Sequence, residues 1–417
     1  MKDPFHFLSH TSKICRNCGH PVLPFFSLGA MPLVNTFLRK EDIPLEKRFD
    51  LTVGFCSSCF LTQLMITLSP EVLFRDYVYF SSVSSSFLSH CKKTAREFIK
   101  RFDLGKENLV LEIASNDGAL LRYFQEQGIG VLGIEPAKNV AEAAKTQGIP
   151  TIPEFFNYAF ARKLKEEQKV SADLVIGMNV LAHVPEISDF LKGVSYILKP
   201  QGTAVFEFPY IEGLFEGKFD TIYHEHVFYF SLLALQNVFK NAGLEIYDLS
   251  MTPMQGGSLM IFAAKDGVFS VNARVRTFAK RESKYGYDKL ATYRSIAGRA
   301  QKNKTELLAL LKNLKKEGKK VIAYSVPAKG IVLLNYCGIG ENYLAFSVDK
   351  SPAKQGLYTP GVHLLVHPLA QIYKEKPDYL LILCWNIADE VMAMEELKPF
   401  RDRGGKFIVA VPKVKIY

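Results

Sequence analysis

The stretch Leu109–Leu120, LVLEIASNDGAL, followed by VLGIE ending at Glu135, limits the fold more than any other segment. It reads as a buried strand, a tight turn, a helix and a second strand that stops at a carboxylate. Such a turn lets the backbone approach a ligand, and a carboxylate some twenty residues on can take both hydroxyls of a ribose. Dinucleotide folds carry GxGxxG at this place. Here Ala114-Ser115-Asn116-Asp117-Gly118 stands instead, with the acidic Glu112 at the strand end. The phosphate-cradling glycine pair is missing and negative charge is present, which suits a cationic, phosphate-free cofactor such as S-adenosylmethionine. An ordinary strand–helix–strand turn without a ligand shares the same pattern.

The same rhythm continues along the chain. ADLVIGMN, a helix from Glu186 and GTAVFEFP extend the first unit, and an edge strand over Gly256–Phe262 follows a helix over Ser231–Ala242. A long helix, roughly Tyr287–Glu317, leads to a second cycle: VIAYSV, YLAFSVD, DYLLILCW and KFIVAV. Strands alternating with helices predict an α/β fold with parallel, doubly wound sheets. The 417 residues are enough for two or three domains. The expected division is 1–75, 76–270 and 271–417.

Four of the seven cysteines fall as Cys15-x-x-Cys18 and Cys56-x-x-Cys59, enough thiolates to close a tetrahedral structural zinc shell with no open position for catalysis. Gly19 suits a knuckle turn after the first pair, and the gap between pairs leaves room for a strand over Arg48–Phe55. Cys91, Cys337 and Cys384 sit in apolar surroundings and read as core.

No apolar run reaches the roughly 18 residues that span a bilayer. The N-terminus lacks a signal-peptide core. A cytoplasmic protein that does not engage membranes is expected. The 52 Lys+Arg against 42 Asp+Glu leave a net charge of +10. The basic residues gather in one probable helix region, Arg274–Lys320, without interleaved stacking aromatics, so a solvated face is expected rather than a nucleic-acid site.

Asp220-Thr221-Ile222-Tyr223-His224-Glu225-His226, running on to Tyr229 and Ser231, is dense in proton-transfer groups. It follows a strand ending at Phe208-Pro209-Tyr210, which puts it at the carboxyl edge of the sheet, where α/β ligands bind. His224 and His226 could share a metal if they lay on one strand; a polar loop of hydrogen-bonded histidines is the plainer alternative. His183, in Leu181-Ala182-His183-Val184, either faces the same site or caps the turn before Pro185.

These segments together resemble the nucleotide-diphosphate-sugar C-methyltransferases. The likeness runs through both CxxC pairs, Tyr77–Ser82, EIASNDGALL, Asn179–Pro185 and Tyr223–Ser231. It continues through Gly256–Leu259, Pro327–Ile339, Val348–Gly361 and Cys384–Asn386. It implies a methyltransferase Rossmann-like core between an N-terminal zinc module and a second Rossmann-like domain. Glu112, Ala114, Ser115, Asn116, Asp117, Gly118, Glu135 and Asn179 would then bind S-adenosylmethionine. His226 would be the general base. Tyr223, Glu225 and His183 would orient or polarise the sugar, and Tyr79 would lie over cofactor and substrate. Lys329 and Tyr229 would contact the substrate, Lys329 at the nucleotide diphosphate.

Three departures from that family stand out. Ala114 replaces a glycine, which is tolerable if the backbone there is not left-handed. Met254-Gln255 stands where a histidine is common, and Ser325-Val326 replaces Gly-Ala. A monomer making branched deoxysugars is the resulting expectation. The rival readings are a nicotinamide-dependent sugar-nucleotide oxidoreductase or epimerase, with Asp349 on a ribose, and a non-catalytic zinc-containing nucleotide-binding protein.

Overall fold

The computed structural model describes residues 9–74, 80–83 and 85–417. Its centre is a seven-stranded sheet in the order Leu244–Thr252, Ser258–Lys265, Leu198–Pro209, Ala172–Met178, Leu109–Ile113, Gly130–Ile134, Thr151–Ile152. Only Ser258–Lys265 runs against its neighbours. The expected edge strand is therefore an interior one, and Leu244–Thr252 forms the edge. Two further elements escaped the periodicity, the two-residue strand Thr151–Ile152 and the helix Tyr158–Glu167. A pair of residues is too short to show an alternation.

Leu109–Ile113 and Ala172–Met178 are adjacent and parallel. The connections leave these two strands toward opposite edges, so a crevice opens at their carboxyl ends. Burial on both faces explains their near-continuous apolar sequences. Helix Ile187–Ile197 covers one face with Ile187, Phe190, Leu191, Val194 and Ile197 at helical spacing. Helix Ser85–Arg101 covers the other, placing Cys91 and Phe98 against Val110, Ile176 and Val205.

The N-terminal segment forms an antiparallel sheet of Leu23–Pro32, Arg48–Phe55 and Thr62–Leu64, to which a fourth strand, Phe228–Tyr229, is added from the central region. The C-terminal segment holds six strands, five of them parallel, closed by the antiparallel Lys415–Ile416. The single basic helix region resolves into two helices, Ala273–Tyr285 and Leu290–Lys316, broken at Gly286 with φ 76°. The second buries Tyr293, Ile296, Ala300, Leu307, Leu311 and Leu314 on one stripe, and most of its lysines and arginines face solvent. No helix among the described residues is long and apolar enough to cross a membrane.

Candidate active site

The turn after Leu109–Ile113 is built on left-handed backbone. Ala114 has φ 56°, Asn116 φ 50° and Gly118 φ 78°. A Cβ on Gly118 would sit 2.8 Å from Ile149, so the third position cannot be widened. At Ala114 the condition for an unstrained methyl is not met, because the backbone there is left-handed. Glu135 braces the turn: Asn116 N–H donates to it at 2.9 Å and Ala137 N–H at 2.9 Å. Ser81 N–H donates to Asn116 Oδ1 at 2.8 Å, and Ser82 N–H to Asp117 Oδ2 at 3.2 Å.

Around this turn several buried acceptors have no hydrogen-bond partner among the described residues: Glu112 Oε2, Asp117 Oδ1, Ser115 Oγ and Asn179 Oδ1. Burial, with Glu135 and Asp117 nearby, holds Glu112 well above the usual carboxylate range, and burial also raises Glu135. A pocket of crowded carboxylates and idle acceptors is relieved by a cation. That set of acceptors fits the ammonium, sulfonium and ribose hydroxyls of S-adenosylmethionine.

Glu207, absent from the sequence-based set, is fully buried on the same face and meets His90 Nε2 at 3.0 Å. A lone carboxylate inside the apolar run AVFEF was the available signal. Tyr79 lies outside the described residues, as does the side chain of Gln255.

The histidine-rich loop is buried, and its histidines diverge. His226 Nδ1–H donates to the Thr221 carbonyl at 2.9 Å, a partner that can only accept. That leaves the lone pair on Nε2, where Tyr223 O–H donates at 2.7 Å. The His183 ring centroid lies 4.8 Å from that of His226, so His183 faces the same site. Burial pulls His226 well below its ordinary value, with His183 and Lys329 adding to the effect, and burial pulls His183 to about 4. Both imidazoles are neutral near pH 7. Burial lifts Glu225 to about 7, against the opposing hydrogen bond from Asn35 Nδ2 at 2.6 Å. Tyr229 is buried with its ring 6.5 Å from His226. His224 turns the other way, to the Asp50 carbonyl at 3.3 Å and the Phe49 ring. The two histidines do not form a metal pair.

The four cysteine sulfurs lie within 4.8 Å of one another, the one such metal-holding group among the described residues. Two matching knuckles present them. Gly19 N–H donates to the Cys15 carbonyl at 2.9 Å, and Phe60 N–H to the Cys56 carbonyl at 2.8 Å. Gly19 and Phe60 both take positive φ, 73° and 64°. A closed set of four thiolates suits structural zinc. From Thr62 the chain runs directly into the strand that pairs with Phe228–Tyr229, and Leu64 N–H donates to the Val227 carbonyl at 2.8 Å. Val227 N–H in turn donates to the Ala182 carbonyl at 2.7 Å. The residue after His226 is thus pinned between the cysteine module and the His183 turn. Cys91, Cys337 and Cys384 are buried, as expected.

Lys329 lies in the first turn of the helix Ala328–Cys337 and is buried. Its ammonium stands 5.1 Å over the Trp385 ring and interacts with Asp220. Burial lowers it to about 8, against the opposing pull of Asp220. Asp220 and Trp385 lie within segments singled out from the sequence but were given no role there, although Trp385 is the chain's only tryptophan. In the same sheet Asp349 accepts from Val326 N–H and Ser351 N–H, both at 2.9 Å, the same backbone bracing that Glu135 receives from Asn116 and Ala137.

Comparisons with known proteins cover most of the chain. Residues 15–74 match a zinc binding domain, 87–249 a methyltransferase domain and 253–412 the C-methyltransferase C-terminal domain. The C-methyltransferase NovU of Streptomyces niveus is 36% identical over 406 residues, 96% of this chain and 96% of that protein. A ubiquinone biosynthesis O-methyltransferase of Paramagnetospirillum magneticum is 32% identical over 97 residues, 22% of this chain and 37% of that protein. The crystal structure of magnesium protoporphyrin IX methyltransferase from Synechocystis PCC 6803 aligns with 43% of this chain and 83% of its own, at TM-score 0.35 and 13% identity.

Proposed function

Because the chain belongs to the C-methyltransferases, we propose that this S-adenosylmethionine-dependent enzyme methylates a ring carbon of a nucleotide-diphosphate-linked 4-keto-deoxysugar. The labour is divided among residues 1–75, 76–270 and 271–417, with the methyl donor in the crevice of the central sheet. Glu135 would take the ribose hydroxyls, and Glu112, Asp117 and Asn179 would face the amino-acid end. The product is a branched deoxysugar made in the cytoplasm by a monomer, and seven cysteines outside any disulfide fit a reducing compartment.

The observation that carries this reading is the buried Thr221–His226–Tyr223 relay, with a neutral imidazole whose lone pair sits on Nε2. A carbon beside a ketone gives up a proton only if a base and an oxyanion donor act together. The ketone oxygen competes for the Tyr223 O–H, which uncovers Nε2. His226 Nε2 then takes the proton α to the ketone, while Tyr223 or His183 holds the developing enolate oxygen. When bound, S-adenosylmethionine supplies an electrophilic methyl carbon for that nucleophile. An oxyanion donor in such a dry site contributes roughly 3 kcal/mol, and a positioned base on the order of 10²–10⁴-fold.

The test is His226→Asn, assayed with S-adenosylmethionine and a panel of 4-keto sugar nucleotides for gain of one methyl. Turnover should be lost while calorimetric affinity for the methyl donor stays near wild type. A variant within a few-fold of the wild-type rate would remove His226 as the base.

A further inference from the structure

We propose that Asp220 is a positioning residue for His226, held by Trp385, so that the docking of the C-terminal sheet sets the competence of the base. The inference rests on the role proposed above for His226. Asp220 is fully buried in the short turn Phe219–Thr221. Its Oδ2 accepts the Trp385 Nε1–H at 2.7 Å. The next residue, Thr221, supplies the carbonyl that accepts the His226 Nδ1–H at 2.9 Å. Trp385, Asp220, Thr221 and His226 therefore form one continuous path from the C-terminal segment to the imidazole. Asp220 makes no hydrogen bond to His226 itself.

The other groups of this hub hold the indole. A Cβ on Gly256 would lie 2.7 Å from the Trp385 ring, so the Gly-Gly turn is flush against it. Lys218 donates to the Gly256 carbonyl at 2.6 Å, and its ammonium lies 5.8 Å over the same ring. Lys329 covers the ring as well, at 5.1 Å. Thr221 Oγ1 donates to the Lys218 carbonyl at 2.7 Å, stiffening the turn that carries Asp220.

The chemistry explains why such a path matters. The two tautomers of neutral imidazole are close in energy, and a base at Nε2 needs the proton on Nδ1. Only the Thr221 carbonyl enforces that choice. If the turn shifts, the wrong tautomer becomes populated and the base is lost without loss of either ligand site.

The experiment uses full-length protein with isotope-labelled histidine, and nuclear magnetic resonance reads which ring nitrogen of His226 is protonated, its signal identified by its absence in His226→Asn. The variants are Asp220→Leu, Asp220→Asn and Trp385→Phe. Wild type and Asp220→Asn, whose carboxamide oxygen still accepts from the indole, should keep the Nδ1–H form. Asp220→Leu and Trp385→Phe should populate both tautomers. In turnover assays those two should lose kcat by roughly ten- to hundred-fold with KM for the methyl donor unchanged, and Asp220→Asn should recover most of the rate. Should Asp220→Leu not fold, Trp385→Phe carries the same test. Retention of the pure Nδ1–H form and wild-type kcat in Trp385→Phe overturns the proposal. Absence of wild-type turnover on every 4-keto sugar nucleotide would instead defeat the substrate assignment, and the tautomer measurement would still decide this one.

Discussion

Ala114 and Ser325 each stand on left-handed backbone directly after the first strand of their sheets, with φ 56° and 64°. An L-residue there gives up about 1 kcal/mol relative to glycine. Ser325 recovers part of that through its hydroxyl, 3.3 Å from Asp349 Oδ2; Ala114 has nothing to recover it with. Ala114→Gly should therefore move the urea midpoint upward by an equivalent of about 1 kcal/mol, and Ser325→Gly should leave it nearly unchanged. Equal shifts in the two variants would contradict the offset assigned to the hydroxyl. His224 gives a second prediction. Burial takes it from 6.5 unfolded to about 4 folded. Between those values the unfolded chain binds a proton that the folded chain refuses, so its stabilising contribution is whole above pH 6.5 and drains as pH falls through 4. His224→Gln cannot titrate and should lose less stability than wild type over that window, by up to about 1.4 kcal/mol per pH unit. Parallel pH–stability curves for the two proteins would show that His224 titrates normally.

At the level of elements, the cysteine module is more than an appended domain. Its sheet is completed by Phe228–Tyr229, two residues beyond His226, and its Asn35 holds Glu225. Zinc that closes the knuckles therefore also sets the register of the strand next to His226. Cys56→Ser should lose its zinc by elemental analysis, open the N-terminal segment to limited proteolysis, and lower kcat much more than affinity for the methyl donor. A soluble, fully active and zinc-free Cys56→Ser protein would sink the structural-zinc assignment. Helix pairing follows the same logic of shared parts. Helix Leu232–Lys240 begins with its own cap, Ser231, which accepts from Ala234 N–H at 3.1 Å. Its first two amides, at Leu232 and Leu233, are instead satisfied by Glu282 at 2.7 and 2.9 Å from the distant helix Ala273–Tyr285.

Across the whole molecule, three sheets converge on one imidazole. The central sheet supplies the His183 turn, the cysteine-bearing sheet pins Val227, and the C-terminal sheet reaches Asp220 through Trp385. Glu282 is the matching structural joint. It is fully buried, takes two helix amides and accepts the Tyr210 hydroxyl at 2.6 Å. Removing it leaves those donors buried without a partner, and each such donor costs about 1–3 kcal/mol. Glu282→Ala should destabilise the protein by about 3 kcal/mol or more, seen as a lower urea midpoint, while zinc content stays unchanged. A midpoint within about 0.5 kcal/mol of wild type, the size of an ordinary surface substitution, would mean water replaces the carboxylate.

Local order determined what could be read from the chain alone. Apolar runs in Leu109–Ile113 and Ala172–Met178 specify strands, two CxxC pairs specify a metal shell, and the acid at Glu135 marks the end of the next strand, because each signal lies within a few neighbouring residues. The interior position of Ser258–Lys265 and the added strand Phe228–Tyr229 depend on pairing between residues far apart in sequence, and periodicity carries no register between distant segments. The same holds for the site. His226 and Tyr223 were legible as a dense cluster, but only the folded chain brings His183 to 4.8 Å, turns His224 away, and sets Trp385 on Asp220. Those contacts join separate sheets, and their geometry follows from how the sheets pack rather than from any one segment.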